Sequence, residues 1–146
     1  MFKIVYLVIC LVIFSYKDIR NRELPVWWLI ITGALIPVMY VCDYQYSGEG
    51  IDYKKIVISI IAAVMFILLS VFTSMIGEAD GIIIGYVCLL SDVYMAFFAV
   101  MVSFVMLAVS GGALVLLKKI NIKTAVPYIP YLFMAYMLTL VCMKRG

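Results

Sequence analysis

The sequence contains no histidine. That absence excludes a Ser-His-Asp triad, a Cys-His pair and an H-E-x-x-H zinc site, and with them the His-dependent intramembrane peptidases. Charge is scarce as well. Only 13% of the 146 residues are charged, against roughly 25% in a soluble globular domain. The net charge of +3 is too small to point to nucleic acid. The four cysteines, Cys10, Cys42, Cys88 and Cys142, form no C-x-x-C pair, so no zinc ribbon is encoded. They lie within or at the ends of apolar stretches and read as small buried hydrophobes. A signal-peptide cleavage site is also lacking. Lys3 and an apolar run to Phe14 lead straight into Ser15-Tyr16-Lys17-Asp18-Ile19-Arg20, which reads as a retained first membrane helix.

What is present is apolar: 68% of the residues are hydrophobic, too many to hide in a water-soluble core of this size. Lipid is their natural solvent. The apolar runs are Phe2–Tyr16, Pro25–Cys42, Ile56–Ile76, about Gly81–Leu90, Val93–Leu117 and Ala125–Met143. The first is short, and spans if the polar stretch Lys17–Arg20 continues the helix out of the bilayer. Pro25 suits a first helical turn, and Trp27 and Trp28 suit the interface. Asp43 to Asp52, with Gly48 and Gly50, reads as a polar loop. The alternating pattern of a barrel is missing, so the expected fold is an all-α, polytopic membrane helical bundle of about six transmembrane helices. Ser91-Asp92 is a poor pair to leave in lipid, which favours six segments over five. The whole chain, 1–146, is expected to form a single membrane-embedded domain.

Lys17, Arg20, Arg22, Lys118, Lys119 and Lys123 fall on one side of the membrane. Lys3, Lys54, Lys55, Lys144 and Arg145 fall on the other. The margin of one residue favours the first set as cytoplasmic. Parity says more. Asp18 follows the first segment and Asp80 the third, so two crossings bring both carboxylates to one face. Asp92 lies on the opposite face. Two neighbouring carboxylates in a low-dielectric site share a proton. The ionised member can take a proton from water while the neutral one polarises a peptide carbonyl, chemistry that needs no histidine, metal or nucleophilic side chain. The plainer alternatives are that Asp80 caps the fourth helix and that Asp18 pairs with Arg20 or Arg22.

Local motifs favour the dyad. Asp18-Ile19-Arg20-Asn21-Arg22-Glu23-Leu24-Pro25 resembles the D-x-R-x-x-x-[IL]-P stretch of the type IV prepilin peptidase family. Gly77-Glu78-Ala79-Asp80 resembles its G-x-G-D stretch, and Pro127-Tyr128-Ile129-Pro130-Tyr131 its P-[FY]-x-P segment. The resemblance covers essentially the whole chain. It implies a membrane aspartic endopeptidase in the cell membrane, without a cofactor or metal. Such an enzyme removes the short charged leader of prepilin-like or pseudopilin precursors at the cytoplasmic face, in the service of type IV pili or protein secretion. The implied catalytic residues are Asp18 and Asp80. The cut falls just before the precursor's hydrophobic helix, commonly after a glycine. Ala79 stands where the family usually has glycine, and Ile82 where it commonly has lysine. Either position 79 has ordinary dihedrals or the loop differs. Larger relatives carry an additional N-terminal region with paired C-x-x-C motifs, associated with N-methylation. The chain is therefore expected to be the stand-alone peptidase form.

Other features have plainer readings. Glu78 reads as a solvated loop charge and Arg20 and Arg22 as lipid head-group contacts. Gly81-x-x-x-Gly85 and Ser110-Gly111-Gly112-Ala113 read as helix packing. Pro127 and Pro130 are expected to kink or delay the last helix. Two rival functions fit the same composition: a small transporter or channel subunit, and a catalytically inactive family member kept as a scaffold.

Overall fold

A computed structural model of the chain describes residues 2–21, 24–47, 53–73, 77–116 and 127–145. It contains six helices: α1 (Phe2–Asn21), α2 (Val26–Ser47), α3 (Tyr53–Thr73), α4 (Glu78–Leu90), α5 (Val93–Leu116) and α6 (Ile129–Arg145). Among the described residues there is no strand. Three stretches are long and apolar enough to cross a membrane: Val26–Tyr46, Tyr53–Phe72 and Val93–Ala113. Their side chains turned away from the bundle are large and apolar, among them Ile30, Ile31, Ile61, Phe72, Phe98 and Val105. The protein is an all-α helical membrane bundle.

The helix boundaries refine the sequence reading. The polar stretch Lys17–Arg20 does continue α1. Asp43 to Ser47, expected as loop, prolongs α2 instead. The prolonged turn is anchored by Asp43, whose Oδ2 lies 3.3 Å from Lys3 Nζ of α1. Pro25 precedes α2 and accepts the Trp28 N–H at 3.0 Å. The fourth segment begins three residues early, at Glu78, so Asp80 is helical rather than in a loop. Ser91, with φ −113° and ψ 169°, stops α4, and α5 starts two residues later, so the fourth and fifth segments are separate helices. Arg22, Gly48, Gly50 and the basic run Lys118–Lys123 lie outside the described residues, and with them four of the six basic residues on the side read as cytoplasmic.

Short α4 is the centre. It packs against α1, α2, α3 and α5, while α6 packs on α1 and α5. Its Ile83, Ile84, Val87 and Cys88 are almost wholly buried, together with Leu11 and Phe14 of α1, Val100 of α5 and Tyr136 of α6. The closest pairing is α3 with α4, and small residues permit it. A Cβ at Gly81 would overlap the Ser70 side chain, coming within 2.7 Å of its Oγ, and one at Gly85 would meet Ala63 Cβ at 3.5 Å. The packing reading of Gly81-x-x-x-Gly85 therefore holds. Nothing among the described residues supports it for Gly111 and Gly112, where an added Cβ would meet nothing within 4 Å. Among the described residues α2 and α3 have at most marginal contact, so each packs on α4 rather than on the other.

Mid-bundle polar groups are satisfied across helices, as lipid demands. Tyr6 of α1 donates to Thr32 O at 2.8 Å, and Tyr86 of α4 donates to Leu29 O at 2.6 Å. Tyr40 of α2 donates to Leu89 O. These bonds tie α2 to α1 and α4 around Pro37, which sits inside α2 and removes one of its own backbone bonds.

Candidate active site

The core-facing side of α1 reads Leu7, Leu11, Phe14, Ser15 and Asp18, recurring at helical spacing. An apolar stripe thus ends in a carboxylate, and folding that stripe inward carries Asp18 in with it; only 9% of the residue is exposed. Among the described residues its hydrogen-bond partner is a backbone amide. The Ile129 N–H donates to Asp18 Oδ2 at 3.2 Å. Ile129 opens α6, and its amide is one of the orphan donors of a helix N-terminus. Pro130 follows within the first turn, where a missing N–H costs nothing. Asp18 therefore fills, from α1, the place of a capping carboxylate on α6. The neighbouring basic residues turn elsewhere: Arg20 Nη1 donates to Tyr16 Oη at 3.0 Å, and Lys17 Nζ stands 3.9 Å from the centre of the Trp28 ring.

Asp80 sits on the first turn of α4. Gly77 is the N-cap, so Asp80 occupies the third helical position, from which an acidic side chain can reach back to the N-cap amide. The Gly77 backbone amide does favour the Asp80 carboxylate. Gly77 has ordinary dihedrals, φ −58° and ψ 143°. What glycine supplies there is space, because a Cβ would lie 3.1 Å from Asp80 Oδ2. Ala79 is helical and half-buried in the core, so it needs no glycine conformation. Of the two possibilities left open by Ala79, ordinary dihedrals apply. The side chain of Glu78 lies outside the described residues.

Both carboxylates stand at the polar ends of the apolar runs and share one end of the bundle. Burial raises the pKa of Asp18, and the Ile129 amide opposes that rise. Asp80 is pushed up to about 6, first by burial and then by the charge of Asp18, against the opposing effect of Gly77. The charge of Asp18 thus bears on Asp80. Asp92, twelve residues further along, lies about 18 Å from this turn at a helical rise of 1.5 Å per residue, as parity required. Among the described residues no three of Cys, Asp and Glu gather where a metal ion could be held.

Sequence reasoning missed three contributors. The Ile129 amide lay in a segment whose prolines suggested a kinked or delayed helix start, and α6 does begin only at Ile129. Ser70 donates from Oγ to Gly77 O at 3.0 Å, fixing the start of α4. Ser103 Oγ lies 2.7 Å from the Tyr128 hydroxyl, beside the start of α6. A serine inside an apolar run carries no signal of which helix end it will meet.

A comparison with curated proteins finds no match, and a comparison with solved structures finds none either. The sequence model of the type IV leader peptidase family matches residues 5–112, well over half of the chain and including both aspartates. The chain belongs to the type IV leader peptidase family.

Proposed function

We propose that the protein is an aspartic endopeptidase that removes the leader of prepilin-like or pseudopilin precursors at the cytoplasmic face, with Asp18 and Asp80 as its catalytic pair. The observation that carries this reading is that two carboxylates from distant parts of the chain, Asp18 holding the N-terminus of α6 and Asp80 in the first turn of α4, are near enough for the charge of Asp18 to act on Asp80.

Asp18, steadied by the Ile129 N–H, is the ionised base. Asp80, with its raised pKa, is the acid. Water attacks the scissile carbonyl carbon; its proton passes to Asp18 and the proton of Asp80 passes to the carbonyl oxygen. The new C–O bond gives a gem-diol. When the C–N bond breaks, Asp18 hands its proton to the departing amine, Asp80 recovers one from the gem-diol, and the pair is restored. The precursor's own helix docks laterally, and the seam between α2 and α3, which have at most marginal contact with each other, is its approach.

The test uses the purified chain alone in liposomes with a precursor bearing a short basic leader and one apolar helix. The expected result is leader release without ion flux. Ion flux without cleavage would favour a transporter, and neither activity would favour a scaffold.

A further inference from the structure

Ser70 and Ser103 are almost wholly buried, at 2% and 0% exposure. Buried hydroxyls in apolar helices usually bond a carbonyl of their own preceding turn. Ser110 and Thr139 do so, donating to Met106 O and Ala135 O at 2.8 Å each. Ser70 and Ser103 also reach a second helix.

The two contacts are counterparts. Ser70 is on α3, the first helix of the α3–α4 hairpin, and donates to the carbonyl of Gly77, the N-cap of α4. That carbonyl also accepts the Gly81 N–H at 3.1 Å, and Gly81 gives Ser70 the room to approach. Ser103 is on α5, the first helix of the next hairpin. Its proton goes to Val100 O at 2.7 Å, so at 2.7 Å the Tyr128 hydroxyl is the donor to Ser103 Oγ. The Phe104 ring, 5.4 Å away, packs on the other side of Tyr128. Tyr128 immediately precedes Ile129, the residue whose N–H holds Asp18, and its carbonyl accepts the N–H groups of Tyr131 and Leu132. In each hairpin a buried serine of the first helix pins the N-terminus of the second, and each pinned N-terminus carries or holds one aspartate.

We propose that Ser70 and Ser103 are positioning residues, which fix the starts of α4 and α6 and so set the separation of Asp80 and Asp18. This inference rests on the peptidase reading. A carboxylate pair shares a proton only over a narrow range of separations, and small misplacements of reacting groups cost about 100-fold in rate. Releasing either serine contact lets one helix end drift and weakens the coupling between the carboxylates. Neither serine touches the substrate.

The test combines kinetics with a titration that needs no substrate. Ser70→Ala, Ser103→Ala, Ser103→Thr and Tyr128→Phe are made in the full chain, with aspartate labelled with 13C at its side-chain carboxyl. Each carboxyl is titrated by NMR in micelles and assigned with the Asp18→Asn and Asp80→Asn proteins. The Ser70→Ala and Ser103→Ala changes are expected to bring the titration of Asp80 down toward the ordinary carboxylate range. On a precursor with a basic leader and an apolar helix, kcat should fall about 10–100-fold while KM stays within about twofold. Ser103→Thr, which keeps the hydroxyl, should restore both readouts. Tyr128→Phe should match Ser103→Ala, and the double variant should be no worse than either alone. Unchanged carboxyl titrations in both alanine variants overturn the proposal, even if melting temperatures fall, because a merely structural serine lowers stability without uncoupling the pair. Failure of the peptidase reading shows separately, as full cleavage by the Asp→Asn proteins.

Discussion

Replacing Asp80 by Asn should abolish leader removal and at the same time stabilise the protein, but only at neutral and alkaline pH. Folding raises the Asp80 pKa from 3.8 to about 6 through burial and the charge of Asp18. The folded protein therefore holds this proton more tightly than the unfolded chain. The associated stability is complete below about pH 3.8 and is lost as pH rises through about 6. Two pKa units at 1.36 kcal/mol each give about 3 kcal/mol. Solvent screening at a partly exposed carboxylate trims this to about 1–3 kcal/mol. The Asp80→Asn protein carries no charge there at any pH and keeps an oxygen to accept the Gly77 amide, so it escapes that loss. For a chain of this length the gain corresponds to a Tm increase of roughly 3–10 °C at pH 8. Near pH 4 it should vanish. Thermal unfolding in one detergent at both pH values measures it, with cleavage assayed on the same preparations. A lower Tm at pH 8, or an equal shift at pH 4 and pH 8, would refute the placement of Asp80 in a buried site beside Asp18.

Three further outcomes are expected. Leader removal should decline above about pH 6, tenfold per unit once Asp80 is ionised, with an acid limb lying above the ordinary carboxylate range because burial raises Asp18; a pH–rate profile checks both limbs. Ala79→Gly, which recreates the usual family residue, should cost about 0.5–1 kcal/mol of stability and bring no gain in kcat, because position 79 is helical; chemical denaturation and cleavage assays measure the two effects. Gly81→Ala should force α3 and α4 apart at Ser70 and destabilise by about 1–3 kcal/mol, whereas Gly111→Ala, which meets open space, should be neutral or slightly stabilising in the same unfolding assay.

Much of the fold was legible because lipid leaves few choices. Apolar runs must be helices, and Ser91-Asp92 marks where one must end. Parity then assigned Asp18 and Asp80 to one end and Asp92 to the other without any knowledge of packing. The helix ends were less legible. Asp43 looks like a loop residue until Lys3 is seen beside it. Asp80 looks like a loop or cap residue because the N-cap of α4 is a glycine with no side chain to announce it. The amide on Asp18 was hidden for a different reason: Ile129 lies 111 residues away, and a backbone donor has no sequence signature. The resemblance pointed to the Pro127–Tyr131 segment and its prolines to a kinked or delayed helix start, but only tertiary packing shows that the first amide of α6 is what meets the aspartate.

The most direct measurement is leader removal by the Asp18→Asn and Asp80→Asn proteins, each folded, reconstituted in liposomes and supplied with one prepilin-like precursor. Asn at either position keeps an acceptor for the amide that holds it, so the packing survives while the proton chemistry does not. The account predicts that each single change reduces cleavage to background. Full cleavage by both would contradict it.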